Sequence, residues 1–208
     1  MACETGRSTK LVMPQRFGGV AVNHAIHQLG FDSLCQHMTK YENLVFVDVE
    51  ATGLTPYSGE MTEFGCVHYA SRKTYHGVLW DALPDPDQPA KPVIIGAGYN
   101  PRPVAEGLRS WLKTNVKGRP VFVSDNPAYD FMWMAYFLDK ELGENPFGHS
   151  GRRIGDFWAG LNNDWSNTQK WKRFRVTPHD HNPVNDAMGN VEAFRTIIRR
   201  QDASKDQG

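Results

Sequence analysis

From Leu44 onward, short apolar runs alternate with turn-forming residues. The first run, LVFVDVEATGL at 44–54, reads as a buried strand: Val45, Val47 and Val49 share one face, and Leu44, Phe46, Asp48 and Glu50 share the other. Gly53 and Pro56 end it. EFGCVHYA and KTYHGVLW are rich in β-formers and separated by SRK, which predicts a hairpin. The proline-rich stretch 81–101 reads as a long loop. PVAEGLRSWLKT places Val104, Leu108, Trp111 and Leu112 at helical spacing, and PVFVS is a short strand. NPAYDFMWMAYFLDKELG predicts a helix capped by Asn126, opened by Pro127 and stopped by Gly143. The polar, aromatic segment 144–180 holds one short helix around IGDFWAGL. A last helix begins at Asn182 and Pro183, with Ala187, Val191, Phe194 and Ile198 as its buried stripe and Arg199 and Arg200 in its last turn. Strands, then helices alternating with a strand, give an α/β layered domain with a mixed sheet. Residues 1–40 lack this order and are read as an extension of unknown role. The domain spans 41–202, and 203–208 is a polar tail.

The 208 residues are 40% hydrophobic, enough for one sizeable core, and carry zero formal net charge. A nucleic-acid partner would therefore have to be held by local patches. Three cysteines without a C-x-x-C pair give neither a disulfide framework nor a zinc site. No apolar run reaches membrane-span or signal-peptide length, so a cytoplasmic protein without membrane contact is expected.

The acids in the first strand are the chemical signal. Asp48 and Glu50 lie on one face at the strand's carboxyl end, where open α/β sheets bind ligands. Two carboxylates there repel unless a cation or an arginine bridges them. Hard oxygen ligands suit Mg²⁺ or Mn²⁺. Asp130 and Asp186 each fall in the first turn of a helix, where an acid also serves the helix dipole. His181 stands five residues before Asp186, just ahead of the last helix.

In this order and setting the motifs resemble the DEDD superfamily of 3′–5′ exonucleases. DVEATGL is similar to its D-x-E motif, SDNPAYD to its second motif, and HNPVND to the H-x-x-x-x-D motif of the DEDDh branch. EFGCV resembles the strand that follows the first motif, and the likeness covers about residues 43–200. Asp125 departs from the pattern, since many relatives have histidine there. GENPFGHSGRRIGDFWAGL, with HDHNPVNDAMGN, further resembles small bacterial and phage exoribonucleases of the ribonuclease AS type.

The resemblance implies a ribonuclease H-like fold, a five-stranded mixed sheet flanked by helices. Asp48, Glu50, Asp130 and Asp186 would hold two Mg²⁺ or Mn²⁺ ions. His181 would be the general base, with Glu50 counted among the catalytic residues as well as the ligands. The expected substrate is single-stranded nucleic acid with a free 3′ end, RNA favoured over DNA. Thr52, Gly53 and Leu54 would touch the terminal nucleotide, Asn126 would contact substrate or cap its helix, and Arg152 and Arg153 would meet phosphates. KWKRFR at 170–175 interleaves cations with aromatics, as single-strand binders do. A DNA exonuclease, a catalytically silent binding module and a small-molecule phosphodiesterase are the competing readings. By analogy with relatives, a homodimer is possible.

Overall fold

The computed structural model describes residues 41–205. Five strands form one sheet: β1 (Leu44–Ala51), β2 (Met61–His68), β3 (Thr74–Val78), then β6 (Val121–Ser124) and β7 (Gly151–Arg153), in the order β3-β2-β1-β6-β7. The β1–β2 and β2–β3 pairs are antiparallel, and β1–β6 and β6–β7 are parallel. The helices are α1 (Pro101–Asn115), α2 (Pro127–Leu142), α3 (Ile154–Leu161) and α4 (Pro183–Lys205), with a 3₁₀ turn at Lys170–Phe174. This is the mixed sheet of a ribonuclease H-like fold.

Strand periodicity divides the core. Val45, Val47, Val49, Phe64 and Cys66 face α1 and α2, burying Leu108, Leu112, Trp133 and Met134. Leu44, Phe46, Val67 and Val123 face α3 and α4, burying Ile154, Ala187, Val191, Phe194 and Ile198. The predicted stripe of the last helix is therefore the buried one. Asp48 and Glu50 belong to this second face. No helix among the described residues is long and apolar enough to cross a membrane.

Three expectations need correction. The stretch 81–101 is not one loop: Trp80–Leu83 (β4) and Val93–Gly98 (β5) pair as a separate antiparallel ribbon. Its prolines 84, 86, 89 and 92 fall between the two arms, where a missing N–H breaks no ladder. The last helix runs on to Lys205, past the 202 boundary, so Arg199 and Arg200 are not in its last turn. Asn126 occupies the N-cap position, but its side chain makes no capping bond. The 1–40 extension lies outside the described residues.

Candidate metal and active centre

Strand lengths open the site. β6 pairs only with Leu44–Phe46, so Asp48–Glu50 run past the end of their parallel neighbour. The first turn of α2 enters beyond Ser124 and brings Asp130 to this gap. On the other side of β1 the register shifts between Glu50 and Ala51, and the Thr62 hydroxyl donates to the Glu50 carbonyl at 3.0 Å. Such an irregularity beside a site re-aims a side chain.

Gly65 lies opposite Asp48 on β2, on the face that α4 covers. A Cβ there would overlap the Pro183 carbonyl and the Val184 nitrogen. The missing side chain lets the first turn of α4 rest backbone to backbone on the sheet. The Asn182 side chain caps that turn, accepting from the Val184 and Asn185 N–H groups at 3.1 and 3.2 Å. Asp186 is thereby aimed at β1.

Ligand oxygens of Asp48, Glu50 and Asp186 lie within 4.8 Å of one another. Asp130 stands beside this trio and shares its field. Burial, then the charges of Asp130, Asp186 and Glu50, hold the Asp48 carboxyl well above the ordinary range, with Arg175 pulling against them. Burial, followed by repulsion from Asp186, Glu63 and Asp130, pushes Glu50 up to about 8. Burial foremost pushes Asp130 up to about 7. Both Asp186 oxygens are buried and accept no hydrogen bond. A buried carboxylate without donors is costly, and a cation among these oxygens removes that cost. The donor set is all oxygen, as Mg²⁺ and Mn²⁺ prefer, so the residues fit a divalent metal.

Two histidines overhang the acids. His181, in a left-handed conformation (φ 59°), places Nδ1 3.7 Å from Glu50 Oε1. His179, which the H-x-x-x-x-D spacing leaves out, places Nδ1 2.5 Å from Asp186 Oδ2, without hydrogen-bond alignment. The rings are 4.5 Å apart, and both histidines form a ligand-competent group with Asp186. The sequence signal for His179 was the H-x-H pattern in HDHN, which sets both rings over one helix end.

The expected substrate residues divide. Leu54 is 70% exposed, and the Asn126 side chain is exposed and caps nothing. Thr52 closes its own loop: its hydroxyl accepts the Glu60 N–H at 3.0 Å. Gly53 is required by the same loop, because a Cβ would lie 2.7 Å from the Ser58 carbonyl oxygen. Arg152 is exposed at the sheet edge. Arg153 is committed to the Asp125 carbonyl and the Asp156 carboxylate, both at 3.1 Å. KWKRFR is a 3₁₀ turn around a fully buried Trp171. Lys172 pairs with Asp125 at 2.5 Å, Arg173 lies over Phe174 and Trp158, and Arg175 donates to Asn190.

A curated Escherichia coli protein, the 3′–5′ DNA exonuclease Cap18, is 27% identical over 183 residues, covering 80% of this chain and 97% of that protein. The chain is thus similar to a 3′–5′ exonuclease over most of its described length. No family model matches it. The Mg²⁺- and Mn²⁺-bound structure of Pop2p from S. pombe aligns over 80% of this chain and 89% of its own, with 14% identity and a TM-score of 0.49.

Proposed function

We propose that this chain is a metal-dependent 3′–5′ exonuclease that hydrolyses single-stranded nucleic acid. One observation carries the reading: the Asp186 carboxylate is buried, accepts no hydrogen bond and faces two more acids across a few ångströms. Two divalent ions held by Asp48, Glu50, Asp130 and Asp186 would supply a water activated at neutral pH and positive charge for the leaving 3′ oxygen. The chain's own groups supply the rest. His181, placed ahead of α4 and beside Glu50, is the general base. Leu54 offers an exposed apolar surface to the terminal base. Asn126 offers an amide free of capping duty.

Two observations bear on the sugar, and they differ. The likeness of 144–161 and 179–190 to ribonuclease AS-type enzymes favours RNA. The relative that matches along nearly its whole length is named a DNA exonuclease, which favours DNA. Incubation with end-labelled RNA and DNA of matched sequence, in Mg²⁺ and in EDTA, tests both. A ladder shortening from the 3′ end in Mg²⁺ alone is expected, and the faster ladder assigns the sugar. Full turnover in EDTA, or shortening from the 5′ end, would overturn the reading.

A further inference from the structure

Farther along α4, two of its arginines meet a third from the β2–β3 turn. A pocket of about 430 Å³ is lined by Arg72, Val176, Glu192, Arg195, Thr196 and Arg199. Arg72 sits between β2 and β3 with φ 58°, a left-handed conformation uncommon outside glycine. The Arg195 guanidinium rests over the Tyr69 ring at 5.5 Å, which fixes its plane. Arg199 follows one turn later and is exposed. Like charges at i and i+4 do not help a helix. Nor does the helix dipole account for Arg199, because α4 continues to Lys205.

Among the described residues, Glu192 is the acid that lines this pocket, and it is already engaged. Its Oε2 accepts the N–H groups of Val176 and Thr177 at 3.0 and 2.7 Å, and its Oε1 accepts the Thr177 hydroxyl at 3.1 Å. Arg72 stands 4.0 Å from Oε1. In the pocket's lining three cations face one occupied carboxylate, and Asp202, which also acts on Tyr69, lies outside that lining. Consistent with this crowding, burial and then repulsion from Arg72 and Arg199 lower the Arg195 pKa, with Tyr69 opposing them.

Position gives the pocket its meaning. Arg195 lies nine residues along α4 from Asp186, and Arg199 thirteen, which is about 14–20 Å at 1.5 Å per residue. The segment Val176–His181 joins the pocket to the acids, and Val176, Pro178, His179 and Asp180 are exposed along it. The geometry points to a phosphate-binding subsite, formed by Arg72, Arg195 and Arg199, that holds the backbone of a strand whose 3′ end lies among the carboxylates. This rests on the exonuclease reading above. Guanidiniums suit it because their donors fork onto phosphate oxygens.

The test uses the full chain. In an Asp48→Asn background, which stops cleavage, binding of a strand of about ten nucleotides is measured against salt. Arg72→Ala with Arg199→Ala, both on exposed side chains, should shrink the slope of log K against log salt by about 1.4, the value for two lost single-strand phosphate contacts. Arg195→Lys, which keeps the charge and spares the packing on Tyr69, should keep most of the slope. With Asp48 intact, the double variant should hydrolyse a dinucleotide at the wild-type rate. An unchanged slope, with wild type still cleaving strands, overturns the subsite and leaves the exonuclease reading standing. Equal loss on dinucleotide and long strand overturns it too. So does a variant that loses affinity for inorganic phosphate but keeps its strand slope, since the pocket would then serve a free anion. A wild-type protein that cleaves no strand at all removes the exonuclease reading and this one together.

Discussion

The acids at the head of α4 and the cations of the 170–175 turn are both dense in charge, but the cations are answered by neighbours of other kinds while the acids crowd one another. Lys172 has Asp125, Arg175 has Asn190, and Arg173 lies on two rings. Asp48, Glu50, Asp130 and Asp186 are buried against one another, with His179 beside Asp186 and His181 beside Glu50. The difference separates structure from function. Charge that the fold satisfies holds elements together, and like charge that the fold concentrates in a buried place marks a site for something from outside.

The sharpest break in that contrast is removal of an acid. Asp48→Ala, Asp130→Ala or Asp186→Ala should nearly abolish Mg²⁺-dependent hydrolysis. Asp186→Asn should also raise the Tm of the metal-free protein, because it relieves repulsion on Glu50 and Asp48, and should remove stabilisation by added Mg²⁺. Thermal melts with and without EDTA check this. A metal-free Tm lowered by several degrees would mean that the acids already have partners inside the protein.

The histidines come next. His181→Ala should lower kcat by about 10²–10⁴-fold with strand binding retained. His179→Ala should act through Asp186, raising the Mg²⁺ concentration for half-maximal rate by about 10–100-fold. Metal titrations of both variants separate the roles, and a reversed pattern would exchange them.

Acidity offers a smaller effect. Glu50 is pushed from an ordinary 4.5 up to about 8, and Asp130 from 3.8 up to about 7. Folded protein therefore holds protons that unfolded chain has released, so this contribution is full below about pH 4 and is lost as pH rises through about 7–8. In EDTA, Tm should fall between about pH 5 and pH 8, and Mg²⁺ should flatten the fall. A Tm that rises over that range in EDTA would contradict the repulsive cluster.

The smallest effect is expected from Lys172→Ala. Its side chain is 40% exposed and Asp125 21%, so the pair contributes at most about 1 kcal/mol. The salt dependence of strand binding should hold. A large loss of slope would return the 170–175 turn to the substrate path.

Much of this centre was legible in the sequence. Alternation placed Asp48 and Glu50 on one face and helix-start signals placed Asp130 and Asp186 in first turns, while the resemblance to the DEDDh motifs is what drew the four acids into one site. The basic surface was not legible in the same way. KWKRFR is contiguous and conspicuous, yet the 3₁₀ turn around Trp171 commits Lys172, Arg173 and Arg175 to neighbours within the chain. Arg72 is far in sequence from Arg195 and Arg199, and it meets them only because α4 passes beside the β2–β3 turn. The ribbon within 80–98 was hidden by prolines that mark its tip rather than its arms. His179 was passed over because spacing names one histidine, while an overhanging segment presents two.

Gly65 has a consequence for tolerance. Because main chain meets main chain where Pro183 crosses β2, no rotamer intervenes between the sheet and the turn that carries Asp186. The separation between Asp48 and Asp186 is set by bond lengths and van der Waals radii instead of by side chains that hop between wells. Coordination geometry that must hold to a few tenths of an ångström thus rests on the least adjustable parts of the polypeptide.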